Sequence, residues 1–145
     1  TQHLLLTLTS HKHVLAITTF GLLLTHNNMQ NDYLKLALDN LGKTFNDYNS
    51  GRFVAQQLMR AQVPLPEGSH WDASPAHLIK QMHHLLGVLQ ATPGDLLFWG
   101  TQNAPYEVGI YVGGNHFIAV NNGDHVAKIQ TLSRNWYPCI AGSIF

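Results

Sequence analysis

"EVGIYVGGNHFIAV", residues 107–120, holds two apolar runs that meet at a Gly-Gly-Asn turn. Alternating residues on both sides of such a turn predict a β-hairpin. The short apolar run "DLLFW" (95–99) precedes it and predicts a buried strand. After the hairpin, "NNGD" (121–124) turns the chain into "HVAKIQTL", and "CIAGSIF" (139–145) closes it. This half of the chain therefore predicts an antiparallel sheet of four or five strands.

Upstream of this sheet, apolar residues recur at helical spacing and predict three helices. The first begins near Asp32, and the second fits residues 50–62, where "VPLP" stops it because proline cannot continue a helix. The third begins with Pro75 at its first position, where the missing N–H costs nothing, and ends at Gly87. The residues predicted to line the helices are Leu34, Leu38, Leu41, Phe45, Phe53, Val54, Leu58, Ala61, Leu78, Met82 and Leu85. Helices followed by an antiparallel sheet define an α+β domain.

Three motifs follow one another along the chain: "SGRFV" (50–54) at the start of the second predicted helix, "PGDLLFW" (93–99) in the first predicted strand, and "VGIYVGG" (108–114) in the next. Together they resemble the NlpC-type cell-wall peptidases, papain-like cysteine endopeptidases that cut the stem peptides of peptidoglycan. The resemblance covers residues 32–145. It implies a papain-like fold, with helices packed on an antiparallel sheet.

The catalytic positions implied by this resemblance carry other residue types. In that family the helix opens with Asp-Cys-Ser-Gly, because a helix N-terminus favours the thiolate. A histidine at the start of the "VGIYVG" strand pairs with the thiolate, and a third polar residue on the next strand orients the imidazole. Here Tyr48 and Asn49 precede Ser50-Gly51, Glu107 stands at the histidine position, and Ala119 stands at the third. The resemblance therefore implies three vacated catalytic positions: Asn49, Glu107 and Ala119.

Two functions remain open on this basis. The first is a catalytically inactive domain that serves as a binding or interaction module, at a bacterial cell envelope, for a peptidoglycan stem peptide or a protein partner. The second is an active peptidoglycan peptide hydrolase with a rearranged site, built from Glu107 and Ser50 or His116. Ser50 also fits a structural role as helix N-cap, which Asn49 is equally able to fill. The binding candidates are Tyr48, Asn49, Ser50, Trp71, Tyr106 and Glu107, with Tyr48, Trp71 and Tyr106 assigned to a surface groove.

The composition narrows the class of partner. Eight basic and eight acidic residues are scattered along the 145-residue chain, so no basic stripe for nucleic acid is present. The ten histidines show no spacing typical of a zinc site, so we expect no metal and no cofactor. Cys139 is the single cysteine, which excludes an intramolecular disulfide, and we expect it to be a small buried residue.

Residues 1–30 form an apolar N-terminal segment ahead of the domain at 31–145. Their longest apolar run, "VLAITTFGLLL" (14–24), is too short to span a bilayer, so no transmembrane segment is predicted. The segment is interpreted as an extra packed element, a leader remnant or an interaction segment that supports a homo-oligomer. A secreted or envelope-associated location is expected, with the cytoplasm left open.

Overall fold

The computed structural model describes residues 32–65 and 69–145, so the predicted N-terminal segment 1–30 lies outside the described residues. Helix α1 covers residues 32–39. Helix α2 is Ser50–Arg60, and the single-turn helix α3 is Pro75–Leu78, which continues into the 3₁₀ turn Ile79–Gln81. A second 3₁₀ turn is Val88–Gln90. The strands are β1 (His84–Leu86), β2 (Leu96–Gly100), β3 (Pro105–Gly113), β4 (His116–Val120), β5 (Ala127–Thr131) and β6 (Ile140–Ser143).

The six strands form one antiparallel sheet in the order β1-β6-β2-β3-β4-β5. The predicted α+β architecture is confirmed, and β2 to β5 form the predicted meander. The hairpin between β3 and β4 turns at Gly113, Gly114 and Asn115, which all have positive φ angles. Such angles are accessible to glycine and tolerated by asparagine. The last strand does not extend the meander; it returns to lie between β1 and β2.

The prediction of a third helix as far as Gly87 is wrong after Leu78. The chain becomes extended at Met82, and the following residues form β1 on the edge of β6, where the His83 N–H donates to the Ser143 carbonyl at 2.7 Å. Gly142 makes this docking feasible, because a Cβ there would lie only 2.5 Å from Met82 Cγ. Pairing with β6 thus supplies the backbone hydrogen bonds that a longer helix would have made internally. It also adds the sheet's sixth strand.

The sheet is covered on both faces. On β2, Leu96 and Phe98 belong to a cluster beneath the helices, whereas Leu97 and Trp99 belong to a cluster on the opposite face. This is the alternation expected of a strand buried on two sides. The helix-side cluster also contains Trp71, which is 4% exposed and donates its indole N–H to the Val63 carbonyl at 2.8 Å. The structure therefore places Trp71 in the core, which corrects its assignment to a surface groove.

Candidate functional site

The start of α2 is held by Asn49. Its Oδ1 accepts a hydrogen bond from the Arg52 N–H at 2.7 Å, and its backbone is extended, as is usual for an N-cap. Ser50 is therefore the first helical residue and not the cap, which corrects the structural role considered for it. The Asn49 side-chain oxygen is thus already the hydrogen-bond acceptor for a backbone N–H in the first turn of α2.

Ser50 joins the helix to the sheet. Its side chain is 2% exposed, and its Oγ accepts a hydrogen bond at 3.1 Å from the Val108 N–H, 58 positions away in the chain. The Ser50 hydroxyl also lowers the pKa of the Glu107 carboxyl group by hydrogen bonding. A hydroxyl has this effect as the donor of the hydrogen bond, because an ionised carboxylate only accepts. The structure thus places the predicted site residue Ser50 against β3, one residue from Glu107.

Glu107 is a buried carboxyl group, 8% exposed. Burial raises its pKa above the usual value, and the hydrogen bond from Ser50 acts in the opposite direction. Burial acts this way because removing water disfavours the charged form. Within the part of the chain that the structure describes, no lysine, arginine or histidine forms an ion pair with it. Its one described side-chain partner is therefore a neutral hydroxyl.

Tyr48 is held in place on three sides. Its hydroxyl accepts a hydrogen bond from Gln56 Nε2 at 2.8 Å, and the Arg52 guanidinium lies 4.2 Å from the centre of its ring. Its backbone carbonyl lies 3.0 Å from Nδ1 of His125. The side chain is half-buried and packs against the core beneath the helices. Tyr48 therefore stands immediately before α2 with a fixed orientation.

Ala119 lies on the same face of the sheet as Glu107. It is fully buried in the second apolar cluster, beside Gly109, where a built Cβ would lie 3.5 Å from the Ala119 Cβ. Residues 107 and 109 share a face because side chains alternate along a strand. Ala119 supplies a methyl group there and no polar atom.

Tyr106 is 61% exposed, beside Glu107 in sequence, and its hydroxyl accepts a hydrogen bond from Trp136 Nε1 at 2.6 Å. No local pattern connects these two aromatic residues, which are 30 positions apart in the chain. The contact between His125 and Tyr48 was also missed. No local pattern signals this contact, because the two residues are 77 positions apart in the chain. His125 lies in a loop and has a left-handed backbone conformation.

His116 is not part of this site. It pairs with Gly113, six residues along β3 from Glu107. At about 3.3 Å per strand residue, the two backbones are separated by roughly 20 Å. A rearranged catalytic site that combines His116 with Glu107 is therefore incompatible with the fold.

The remaining reactive side chains lie elsewhere. Cys139 is exposed, which corrects the expectation that it is buried, and partial desolvation raises the pKa of its thiol. In residues 32–65 and 69–145, no group of three or more histidine, cysteine, aspartate or glutamate side chains is positioned to hold a metal ion. No helix in the same ranges has the length and apolar character needed to cross a membrane.

The NlpC/P60 family model matches residues 41–142, which is more than half of the chain. None of the curated protein sequences matches this chain.

Solved structures share the fold at low sequence identity. The NlpC/p60 domain of the peptidoglycan hydrolase SagA is 21% identical, with a TM-score of 0.61 over 79% of this chain and 97% of that one. The P60 domain of an antigen from M. avium subspecies paratuberculosis is 11% identical, with a TM-score of 0.64 over 81% and 96% of the chains.

RipD from Mycobacterium tuberculosis, described as a non-catalytic NlpC/p60 domain protein adapted to peptidoglycan binding, is 14% identical, with a TM-score of 0.57 over 81% and 98% of the chains. Identities this low show a shared fold and nothing finer. The match to the family model goes further: this chain belongs to the NlpC/P60 family.

Proposed function

We propose that this chain is a catalytically inactive NlpC/P60 domain that binds peptidoglycan, or a protein partner, at the bacterial cell envelope. The proposal assigns no catalytic role to Asn49, Glu107 and Ala119, which stand where the family resemblance implies a cysteine, a histidine and an orienting residue. The binding surface in this proposal is the region around the start of α2 and the start of β3, where Tyr48, Asn49 and Tyr106 reach solvent and the binding candidates Ser50 and Glu107 are buried.

The observation that carries this proposal is the chemistry at the start of α2. Asn49 offers an amide that is already used to cap the helix, and an amide is not a nucleophile at neutral pH. The first helical residue, Ser50, accepts a hydrogen bond from Val108, and the residue before Val108 carries a carboxyl group and not an imidazole. A cysteine peptidase needs a thiolate stabilised by a positive neighbour. This arrangement supplies neither component.

The comparison with RipD supports the binding role. That protein combines an NlpC/p60 domain with a non-catalytic, peptidoglycan-binding function. The same combination in this chain needs no new architecture, because loss of the catalytic residues leaves the helix–sheet junction in place. A location at the cell envelope follows from the proposed ligand.

The test is co-sedimentation with purified, insoluble peptidoglycan, together with analysis of the supernatant for released muropeptides. We expect the protein to pellet with the peptidoglycan and to release no fragments over many hours. An active NlpC/P60 hydrolase in parallel verifies that the substrate is digestible. Release of muropeptides by the purified protein overturns the inactive assignment, and absence from the pellet overturns the peptidoglycan ligand.

The position of Ser50, hydrogen-bonded one residue from Glu107, favours a second candidate, a hydrolase with a rearranged site. A buried carboxyl group with a raised pKa is a suitable general base, and the Ser50 hydroxyl acts on its pKa. Against this reading, Ser50 is 2% exposed, and its Oγ already accepts the Val108 N–H. Muropeptide digestion by the natural protein and by Glu107→Gln separates the two candidates: turnover that this substitution abolishes identifies an enzyme.

Residues 1–30 have a separate proposed role as a segment that packs on the domain at 31–145 or joins copies of the chain. The support is their apolar sequence, since an exposed apolar surface of that size is unusual on a monomer. Mass measurement at several concentrations, with and without these residues, tests it. If the shortened protein stays soluble and its mass corresponds to the same number of subunits as the whole chain, a role of residues 1–30 in self-association is contradicted.

A further inference from the structure

An irregularity between β2 and β3 redirects the Tyr106 side chain. Trp99 pairs with Glu107, but the next residue, Gly100, pairs with Pro105, so Tyr106 is an extra residue without a partner on β2. This is the arrangement of a β-bulge, which changes the direction of a side chain. Tyr106 consequently reaches Trp136, which packs on the same sheet face as Trp99.

The redirected ring is fixed. Its hydroxyl accepts the Trp136 indole N–H at 2.6 Å, and the ring lies against Gly100, where a Cβ would come within 2.8 Å of Tyr106 Cδ1. Gly100 has a φ of 110°, a conformation that other residues rarely adopt. Trp136 is itself anchored, because its ring stacks on buried Trp99 at 4.5 Å and 15° and its carbonyl accepts the Trp99 indole N–H.

The result is an aromatic shelf, defined here as Tyr106 and Trp136 supported by Trp99 and Gly100. Tyr106 remains 61% exposed, although its ring is held by a hydrogen bond and a close backbone contact. An aromatic ring that is rigid before binding loses little conformational entropy when a ligand stacks on it. The shelf is therefore preorganised to present a ring face to solvent.

The surroundings of the shelf indicate an uncharged, polar ligand. The turn that leads into Tyr106 consists of exposed Thr101, Gln102, Asn103 and Ala104, and the turn before Trp136 carries Ser133, Arg134 and Asn135. Hydroxyl and amide groups dominate, with one charge in seven residues. A sugar presents polarised C–H groups on the face of its ring and hydroxyl groups at its edge. These match an aromatic face, which is electron-rich, bordered by neutral hydrogen-bonding groups.

We propose that the aromatic shelf binds a sugar ring of the peptidoglycan glycan strand, with the ring stacked on Tyr106. This inference rests on the proposed peptidoglycan-binding function and names the part of the polymer that this surface contacts. Tyr106 adjoins Glu107 in the chain, so a bound glycan would lie beside the junction of α2 and β3. Stem peptide and glycan would then occupy adjacent surfaces.

The experiment is a titration of the 145-residue chain with a soluble hexamer of β-1,4-linked N-acetylglucosamine, a glycan without peptide. Calorimetry measures the affinity, and tryptophan fluorescence follows the three tryptophans, of which Trp136 is the one that is not buried. Tyr106→Ala removes the ring, whereas Tyr106→Phe keeps the ring and removes its hydrogen bond to Trp136. Tyr137→Ala is the matched control, since Tyr137 is also exposed but lines a separate cavity with Cys139.

We expect Tyr106→Ala to weaken binding roughly five- to tenfold, the range that an aromatic contact contributes. Tyr106→Phe should lose about twofold, and Tyr137→Ala should bind as the natural protein does. Thermal unfolding verifies that each variant is folded. Tyr106 and Tyr137 are both exposed, so we expect their substitution to leave the fold intact.

Equal affinity of Tyr106→Ala and the natural protein overturns the inference, as does an equal loss in Tyr137→Ala. Co-sedimentation with whole peptidoglycan separates this inference from the function on which it rests. A protein that pellets with peptidoglycan but does not bind the hexamer refutes the glycan site and leaves the proposed function standing. A protein that does neither refutes the glycan site and the peptidoglycan ligand together.

Discussion

Replacing Ser50 by alanine tests the hydrogen bonds that join α2 to β3. The substitution leaves the Val108 N–H without its acceptor in a site where Val108 is fully buried and residue 50 is 2% exposed. An unsatisfied buried donor costs about 1–3 kcal/mol, because water cannot take the place of the lost partner. Glu107 loses its hydroxyl donor in the same step. We therefore expect the free energy of unfolding to fall by about 2–3 kcal/mol near neutral pH.

Urea denaturation at two pH values measures both parts of this effect. The Ser50 hydrogen bond lowers the pKa of Glu107, so it stabilises the ionised carboxylate more than the protonated acid. Above the pKa of Glu107 in the folded protein, Ser50→Ala removes that stabilisation in full. At low pH the carboxyl group is protonated in the folded and the unfolded chain, so the loss falls to the part that Val108 contributes. The destabilisation should therefore increase with pH.

Ser133→Ala is the matched control for this experiment. Ser133 Oγ also accepts a backbone N–H, that of Asn135 at 3.2 Å, but the bond is exposed. Water can replace it, so the expected loss is within about 0.5 kcal/mol. If Ser50→Ala destabilises the protein no more than Ser133→Ala, the helix–sheet junction is not held as described. A loss that is independent of pH would remove Glu107 from the explanation.

Three further substitutions test the same region by urea denaturation, and a fourth, Gly87→Ala, is a control elsewhere in the chain. Gly51→Ala should destabilise the protein by about 1–3 kcal/mol, because the added Cβ would clash with the Ala73 carbonyl oxygen. Gly87→Ala should change stability little, because the nearest atom to its added Cβ lies at 3.6 Å. Equal effects of the two substitutions would contradict the packing argument. Asn49→Ala should lose about 1 kcal/mol with the N-cap, and an unchanged midpoint would mean that the cap contributes nothing. Burial raises the pKa of Glu107 in the folded protein. The folded protein therefore keeps this proton at pH values where the unfolded chain has lost it. This contribution to stability is lost as the pH rises through the pKa of Glu107 in the folded protein. Glu107→Gln should abolish this decline and be the more stable protein at neutral pH; parallel pH profiles would refute it.

Local patterns in the sequence were sufficient for the elements whose hydrogen bonds are local. The hairpin at 113–115 and helix α2 are such elements: each has its turn or cap residues beside it in the chain. The third predicted helix failed for the opposite reason. Leu78, Met82 and Leu85 do face the core, as their spacing indicated, but a short apolar run fits a helix or a strand equally well. The presence of β6 as a pairing partner, some 55 residues later, decides between them.

The candidate site was predictable only in part, again because of distance along the chain. The family resemblance aligned Ser50 and Glu107, and the structure brings these residues together. Nothing in the sequence predicted that Trp71 is used in the core or that Tyr106 is redirected toward Trp136. The direction of Tyr106 depends on a one-residue mismatch in strand pairing, and that mismatch is a property of two strands together.

If positions 49 and 107 correspond to the family's cysteine and histidine, as proposed, their replacements are chemically consistent with one another. Positions 49 and 107 adjoin Ser50 and Val108, which share a hydrogen bond, so a thiolate at position 49 would bring a like charge to the region of Glu107 and disfavour ionisation. Asn49 caps the helix without introducing charge, so the buried carboxyl group has no anionic neighbour at the start of α2. The side chain that lowers the pKa of Glu107, that of Ser50, is likewise uncharged. Restoring the cysteine alone would therefore place a thiol where its reactive form is disfavoured, and recovery of hydrolysis requires that residue 107 change as well.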